Sequence, residues 1–225
     1  ILYVGAAGTG KTMVARRIPT IMPSMTMEEA LEVSKIYSIC GLIPSGQTMI
    51  HRRPFRSPHH AVTAQALIGG GRIPRPGEIS LSSHGVLFLD ELTEFPSHIL
   101  DLMRQPLEEK RVTVARVGGS YVFPADCMLA AGMDPCKCGF YSDRTRCRCT
   151  ESQVRQYLGK ISKPFLDRID ICVEAAPVTY TEMQGGGEGE SSARIRERVE
   201  RARRIQLERL RPIGKHFNAQ MKRAE

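Results

Sequence analysis

Long apolar runs are missing from this sequence. The longest, such as Val86-Leu87-Phe88-Leu89, fall far short of the roughly 20 residues that a bilayer-spanning helix needs, so no membrane partner is expected. A secretory signal, with its basic start and apolar stretch, is not visible. No internal repeat is visible either. Acidic residues are the scarcer charge: 24 Asp and Glu stand against 32 Lys and Arg, a formal net charge of +8. Such an excess favours polyanionic partners, nucleic acid among them, and is equally compatible with a solvated surface. A disulfide framework is not indicated, because the seven cysteines are odd in number and four share one short stretch. That distribution reads as a metal site or reduced thiols and implies a cytoplasmic protein.

What is present is ordinary soluble composition, 41% apolar and 25% charged over 225 residues, enough for one α/β domain with a small appendage. Only the strand-like Ile1-Leu2-Tyr3-Val4 precedes a glycine-rich loop, so the chain reads as a piece of a longer protein. Lys11 to Ile18 opens a helix that Pro19 should stop. A second helix runs from Met27 to Ile39, with Ala30, Leu31, Val33 and Ile36 as its apolar positions. Gly41 to Pro76 is rich in Gly, Pro and Arg and reads as loop-rich insertion structure. Val86 to Leu89 is a strand, and Ser97 to Glu109 a helix interrupted near Pro106. Val112 to Val117 and Ser120 to Phe123 favour strand and are joined at Gly118-Gly119, a hairpin signal. Further strands are expected at about Cys127 to Ala131 and at Ile169 to Val173. Gly185 to Gly189 is a flexible break, after which Ser191 or Ser192 caps a helix carrying Ile195, Val199, Ala202, Ile205 or Gln206, and Leu210 at helical spacing.

The chemistry is concentrated in two segments. Gly5-Ala6-Ala7-Gly8-Thr9-Gly10-Lys11-Thr12 fits G-x-x-x-x-G-K-[ST] at every fixed position, after an apolar strand and before a helix. The loop's amides turn inward around phosphates, Lys11 reaches the β and γ oxygens of ATP, and the Thr12 hydroxyl ligates Mg²⁺. Val86-Leu87-Phe88-Leu89-Asp90-Glu91 is an apolar strand ending in two acids, as a buried parallel strand delivers carboxylates to its C-terminal edge. In that Walker B arrangement Asp90 holds Mg²⁺ and Glu91 polarises the attacking water. The bland alternative is that Glu91 caps the following turn.

Roughly 80 residues separate Lys11 from Asp90, and a hairpin follows before the next strand, more than a minimal nucleotide-binding domain needs. Arg53-Pro54-Phe55-Arg56-Ser57-Pro58-His59-His60, Pro76-Gly77-Glu78-Ile79-Ser80, the Val86 to Glu91 segment and Pro164-Phe165-Leu166-Asp167-Arg168-Ile169-Asp170 together resemble the AAA+ domain of the Mg-chelatase-like ComM/YifB family, over nearly the whole chain. That family is similar to the ATPase subunit of magnesium chelatase and is associated with DNA branch migration in recombination and natural transformation.

The resemblance implies an α/β P-loop NTPase three-layer sandwich: a parallel five-stranded sheet, an insert in the second helix, a β-hairpin before the sensor strand, and a partial helical lid. An AAA+ core over 1–184, containing a Cys-rich loop at 134–150, would be followed by linker and lid over 185–225. It also implies hexameric rings in which Arg168 acts as an arginine finger on a neighbour's ATP. The alternative for Arg168 is an ordinary surface pair with Asp167. One departure stands out. Where the family usually has Asn in an Asn-Pro-Cys sequence, this chain has Asp134-Pro135-Cys136, and an ionised carboxylate accepts hydrogen bonds but cannot donate one to phosphate or water. Ala6-Ala7, where relatives often have proline, is milder because that part of the loop works through its backbone.

Cys136-Lys137-Cys138 and Cys147-Arg148-Cys149 are two C-x-C pairs whose four thiolates could surround one Zn²⁺, the alternatives being reduced thiols or a disulfide. Cys40, Cys127 and Cys172 read as buried small hydrophobes. His59-His60 lacks acids or cysteines at ligand spacing and reads as a hydrogen-bonded structural pair. Arg72, Arg75, Lys110, Arg111 and Arg116 could line a ring pore and track a DNA backbone, or be plain solvated charge. Three functions follow: an ATP-driven motor on branched DNA, a chelatase-type subunit that remodels a protein partner, and a weakly hydrolysing nucleotide-responsive module.

Overall fold

A computed structural model of the protein describes residues 1–116, 118–141, 143–178 and 189–221. In chain order its elements are β1 (Leu2–Val4), α1 (Lys11–Ile21), α2 (Met27–Ile39), β2 (Phe55–Arg56), α3 (Ala64–Ile68), β3 (Gly69–Gly70), β4 (Arg75–Pro76), α4 (Glu78–Leu81), β5 (Val86–Leu89), α5 (Ser97–Glu109), β6 (Arg111–Arg116), β7 (Gly119–Pro124), β8 (Met128–Met133), α6 (Glu151–Leu158), α7 (Lys163–Leu166), β9 (Cys172–Glu174) and α8 (Ser192–Leu210). Five of the strands form one sheet of order β2-β5-β8-β1-β9, every pairing parallel.

A parallel sheet covered on both faces needs strands that are apolar throughout, and β5 meets that demand with four fully buried residues. Period-two alternation then sends its side chains to two separate cores. Val86 and Phe88 pack with Tyr3, Ala15 and Ile18 on the α1 face. Leu87 and Leu89 pack with Leu2, Ile99, Leu100, Met103 and Phe165 on the other. The expected parallel five-stranded α/β sandwich is thus observed, with a paired β6–β7 hairpin before the β8 strand.

The Gly41 to Pro76 stretch departs most from expectation. It holds β2, the edge strand of the main sheet, and the motif around it is spent on tying that edge down. Arg53 donates to Pro23 O (2.5 Å), His84 O (2.6 Å) and Glu29 Oε2 (3.0 Å). Val86 N–H donates to Pro54 O at 2.8 Å, an approach so close that a Cβ on Gly85 would sit 2.1 Å from that oxygen. Phe55 stacks on Phe88 with centroids 6.0 Å apart. Arg56 makes a two-pronged pair with Glu78, both bonds 2.6 Å. Two paired residues are too short for period-two reading, which is why a strand here looks like loop.

Several boundaries also move. The first helix runs through Pro19 to Ile21: the ring lies in the last turn, where only one backbone bond is lost, and Arg196 of α8 donates to Thr20 O at 3.0 and 2.6 Å to satisfy that helix end. Pro106 likewise leaves α5 unbroken, buried on its core-facing side. Leu31 is on the exposed face of α2, whose buried positions are Ala30, Val33, Ser34 and Ile36. The hairpin pairs Arg116 with Gly119, so Gly119 belongs to β7 rather than to the turn expected at Gly118-Gly119. The last strand starts at Cys172, not Ile169. On α8, capped by the Ser191 side chain as expected, Leu210 is the buried position while Ile205 is 61% exposed. That helix starts against the C-terminal end of α1 through Thr20 and Ser192. Most of the proposed break at Gly185 to Gly189, residues 185–188, lies outside the described residues. Cys172 is exposed and Cys40 and Cys127 are half-buried; burial still pushes the Cys127 thiol up to about 11.

Candidate functional site

Strand order decides what meets. Because β5, β8 and β1 are adjacent and parallel, the residues just past their C-terminal ends, Asp90, Asp134 and Gly5, emerge side by side along one sheet edge, the place where open α/β sheets bind ligands. The glycine-rich loop leaves β1 there, anchored by Gly5 N–H donating to Met133 O at 3.1 Å. Gly8 and Gly10 adopt φ of 80° and 81°, a conformation that a side chain disfavours, and Gly10 caps α1. The loop therefore ends on a helix N-terminus, whose free amides suit an anion.

Lys11 Nζ lies over this loop, donating to Gly5 O (2.5 Å), Ala6 O (2.9 Å) and Asp134 Oδ1 (3.0 Å). Next to it Thr12 Oγ1 donates to Asp90 Oδ2 at 2.6 Å. A hydroxyl and a carboxylate held that close form an oxygen donor set that would fit a hard divalent cation such as Mg²⁺. Gly132 on β8 keeps the space open: a Cβ there would lie 3.0 Å from Asp90 Oδ1 and 3.8 Å from Lys11 Cβ.

The two consecutive acids diverge. Glu91 has φ 53° and ψ 51°, left-handed geometry that costs a non-glycine residue about 1 kcal/mol or more and tends to mark functional positions. Asp90 faces Thr12, while Glu91 turns to His60, with Nδ1 3.4 Å from Oε2. His59 and His60 stack at 4.0 Å, and His60 meets the edge of Phe95 at 6.3 Å. The histidine pair thus stands beside Glu91, a placement of His60 that the sequence reading did not anticipate. Its place just past the end of β2, next to β5, is the signal that could have found it.

Arg168 does not join this edge. Its Nη2 donates to Glu108 Oε2 on α5 at 3.0 Å, so its ion-pair partner is Glu108 rather than Asp167. The basic residues divide. Lys110 pairs with Asp126 at 2.7 Å and Arg111 with Glu109 at 3.2 Å, so these two are held by carboxylates. Arg116 Nε donates to Gly71 O at 3.1 Å, clamping the β6–β7 hairpin to the small β3–β4 hairpin. At the tip of the latter Arg72, Ile73 and Arg75 are exposed, Ile73 at 74%. Among the described residues Arg72 and Arg75 make no ion pair.

The four clustered cysteines do converge: their sulfurs all lie within 4.8 Å of one another. Sγ of Cys136 is 3.8 Å and Sγ of Cys138 is 3.6 Å from that of Cys147, and none is disulfide-bonded. The Phe140 backbone and the Cys136 thiol hold Cys138 down at about 6.

Residues 1–183 match the family described as magnesium chelatase, subunit ChlI. The chain is 42% identical over 223 residues to competence protein ComM of Haemophilus influenzae, covering 97% of this chain and 43% of that protein. It is 43% identical over 210 residues to YifB of Escherichia coli, covering 93% of this chain and 41% of that one. The 38 kDa magnesium-chelatase subunit of Rhodobacter capsulatus is 24% identical over 151 residues, 60% of this chain and 43% of that one. This chain therefore spans less than half the length of these relatives.

Proposed function

We propose, because this chain belongs to the Mg-chelatase-like AAA+ ATPase family, that it binds and hydrolyses Mg-ATP as the core of an oligomeric motor acting on branched DNA. The observation that carries this is the shared edge of β1, β5 and β8, which sets a glycine-rich loop and Lys11 against Thr12 and Asp90. In this reading Gly5 to Gly10 offer backbone amides to the phosphates, and Lys11 leaves its loop carbonyls for the β and γ oxygens. Thr12 and Asp90 hold Mg²⁺, which offsets charge on the triphosphate. Glu91, kept in place by His60, orients the attacking water and takes its proton. Arg168 exchanges Glu108 for the γ-phosphate of a neighbouring subunit in a ring. The cysteine cluster takes Zn²⁺. Residues 1–184 form the motor core and 185–225 a linker and part of its helical lid.

DNA is supported by the +8 charge and by the clamped pair of hairpins carrying the exposed Arg72 and Arg75. Cations at a loop tip bind phosphates with little sequence preference and a steep salt dependence. Forked DNA should therefore stimulate ATP turnover, and Arg72→Ala/Arg75→Ala should lose that stimulation while keeping basal turnover. Activation by a chelatase-type protein partner, with none by DNA, would replace the motor reading with the chelatase one.

The Lys11–Asp134 pair favours a slow enzyme. An anion 3.0 Å from Nζ competes with the triphosphate for the same ammonium and repels it. We therefore expect Asp134→Asn to tighten Mg-ATP binding about tenfold, roughly 1.4 kcal/mol, and to raise turnover, because an amide can donate where a carboxylate cannot. Calorimetry with a steady-state assay reads both; weaker binding by a folded variant would remove Asp134 from this role.

A further inference from the structure

We propose that Cys136, Cys138, Cys147 and Cys149 form a structural Zn²⁺ site that props the phosphate loop, so that zinc and nucleotide strengthen each other's binding. The metal half stands on the cluster alone; the linkage rests on the nucleotide reading above.

Geometry argues for the metal. Tetrahedral zinc with Zn–S of about 2.3 Å has sulfurs about 3.8 Å apart, whereas a disulfide brings them to about 2.05 Å. The separations of 3.8 Å and 3.6 Å to Cys147 are those of a tetrahedron edge, and the third, between Cys136 and Cys138, is 3.3 Å. Within the spacer, Asp143 Oδ1 accepts from Thr145 N–H (2.9 Å) and from its hydroxyl (2.6 Å). Arg146 lies 4.0 Å over the Phe140 ring. Lys137, Arg144, Arg146 and Arg148 alternate with the ligands and offset the two net negative charges that four thiolates leave around Zn²⁺.

Position argues for the linkage. Cys136 is buried and stands two residues after Asp134, the partner of Lys11, with only rigid Pro135 between them. Gly139, at φ 82°, backs onto the phosphate loop: a Cβ there would lie 3.8 Å from Asp134 Oδ2 and 3.9 Å from both Ala6 Cα and Ala7 N. A metal that fixes Cys136 and Cys138 therefore pins the chain between Asp134 and Gly139, the two residues that meet the loop and its lysine. Without it, nucleotide binding must order that segment as well, which weakens it.

Chain purified without chelator should carry about one zinc by elemental analysis, and Co²⁺ in its place should give the ligand-field bands of a tetrahedral tetrathiolate. Stripping zinc with a zinc-selective chelator, Mg²⁺ kept in excess, should weaken Mg-ADP binding about tenfold, and adding Zn²⁺ back should restore it. By reciprocity, saturating Mg-ADP should raise zinc affinity by the same factor, measured at equilibrium against a competing chelator. Cys138→Ser/Cys147→Ser should lose zinc and show the weaker Mg-ADP binding, while Cys40→Ser, outside the cluster, should do neither. Folded wild-type protein without zinc, or zinc retained by the double variant, overturns the site. Stoichiometric zinc with Mg-ADP affinity unmoved by stripping overturns the linkage. Zinc-loaded protein that takes up no nucleotide overturns the linkage and the phosphate-loop reading together, and leaves zinc stoichiometry to judge the site.

Discussion

Glu91→Gln should bind Mg-ATP within about threefold of the parent and lose hydrolysis by a factor of about 10² to 10⁴, the range a positioned general base supplies. The substitution keeps side-chain length and shape, so the left-handed turn at this position is no worse tolerated. What it removes is an acceptor basic enough to take a proton from water. Affinity should survive because Lys11, Thr12 and Asp90 are untouched: Asp90 Oδ2 accepts from Thr12 and its Oδ1 from the Glu91 backbone N–H, which the substitution keeps. Single-turnover kinetics beside calorimetry separate the two effects. Turnover within threefold of the parent would show that Glu91 only caps its turn and that the base lies elsewhere.

The second large effect is expected at a residue that touches nothing in its own site. Arg168→Ala should lower turnover about 10³-fold in the assembled protein, since a guanidinium delivered to a transferring phosphoryl group is worth that much or more, with nucleotide affinity and melting temperature close to the parent's. Stability should hardly change. The pair that is lost, Arg168 with Glu108, has both side chains substantially exposed, 42% and 58%, and such pairs contribute about 0–1 kcal/mol. A mixing experiment distinguishes action in trans from damage in cis. Rings built from Glu91→Gln and Arg168→Ala subunits would combine an intact base on one subunit with an intact arginine on the next at about a quarter of the sites if mixing is random. Activity should therefore reappear from two inactive parents. No recovery on co-assembly, in rings confirmed to be mixed, would assign Arg168 to its Glu108 pair alone.

The readable part of this protein was the part written contiguously. Gly5 to Thr12 and Val86 to Glu91 each carry strand, turn and functional side chains in one short run, so periodicity and residue type sufficed. The β6–β7 hairpin was legible for the same reason, one residue of turn register aside. The misplaced pieces depended on partners far along the chain. A two-residue β2 has no period of its own and exists because β5 offers it an edge. Pro19 and Pro106 carry a helix-stop signal that tertiary contacts outweigh: Arg196 satisfies the end of α1, and burial holds α5. The contact of His60 with Glu91 was not legible because the two are 31 residues apart in sequence.

By itself the sequence determined the phosphate loop, the acidic strand end and a four-cysteine group, because each follows from the stereochemistry of neighbouring residues, while the parallel five-stranded sheet was legible through the family resemblance. Only the tertiary structure decided that Asp134 holds Lys11, that His60 reaches Glu91, that Arg116 clamps two hairpins and that the cysteine loop rests on the phosphate loop. Those contacts are products of strand order, and strand order is a global minimum over burial on two sheet faces that no local run of residues encodes.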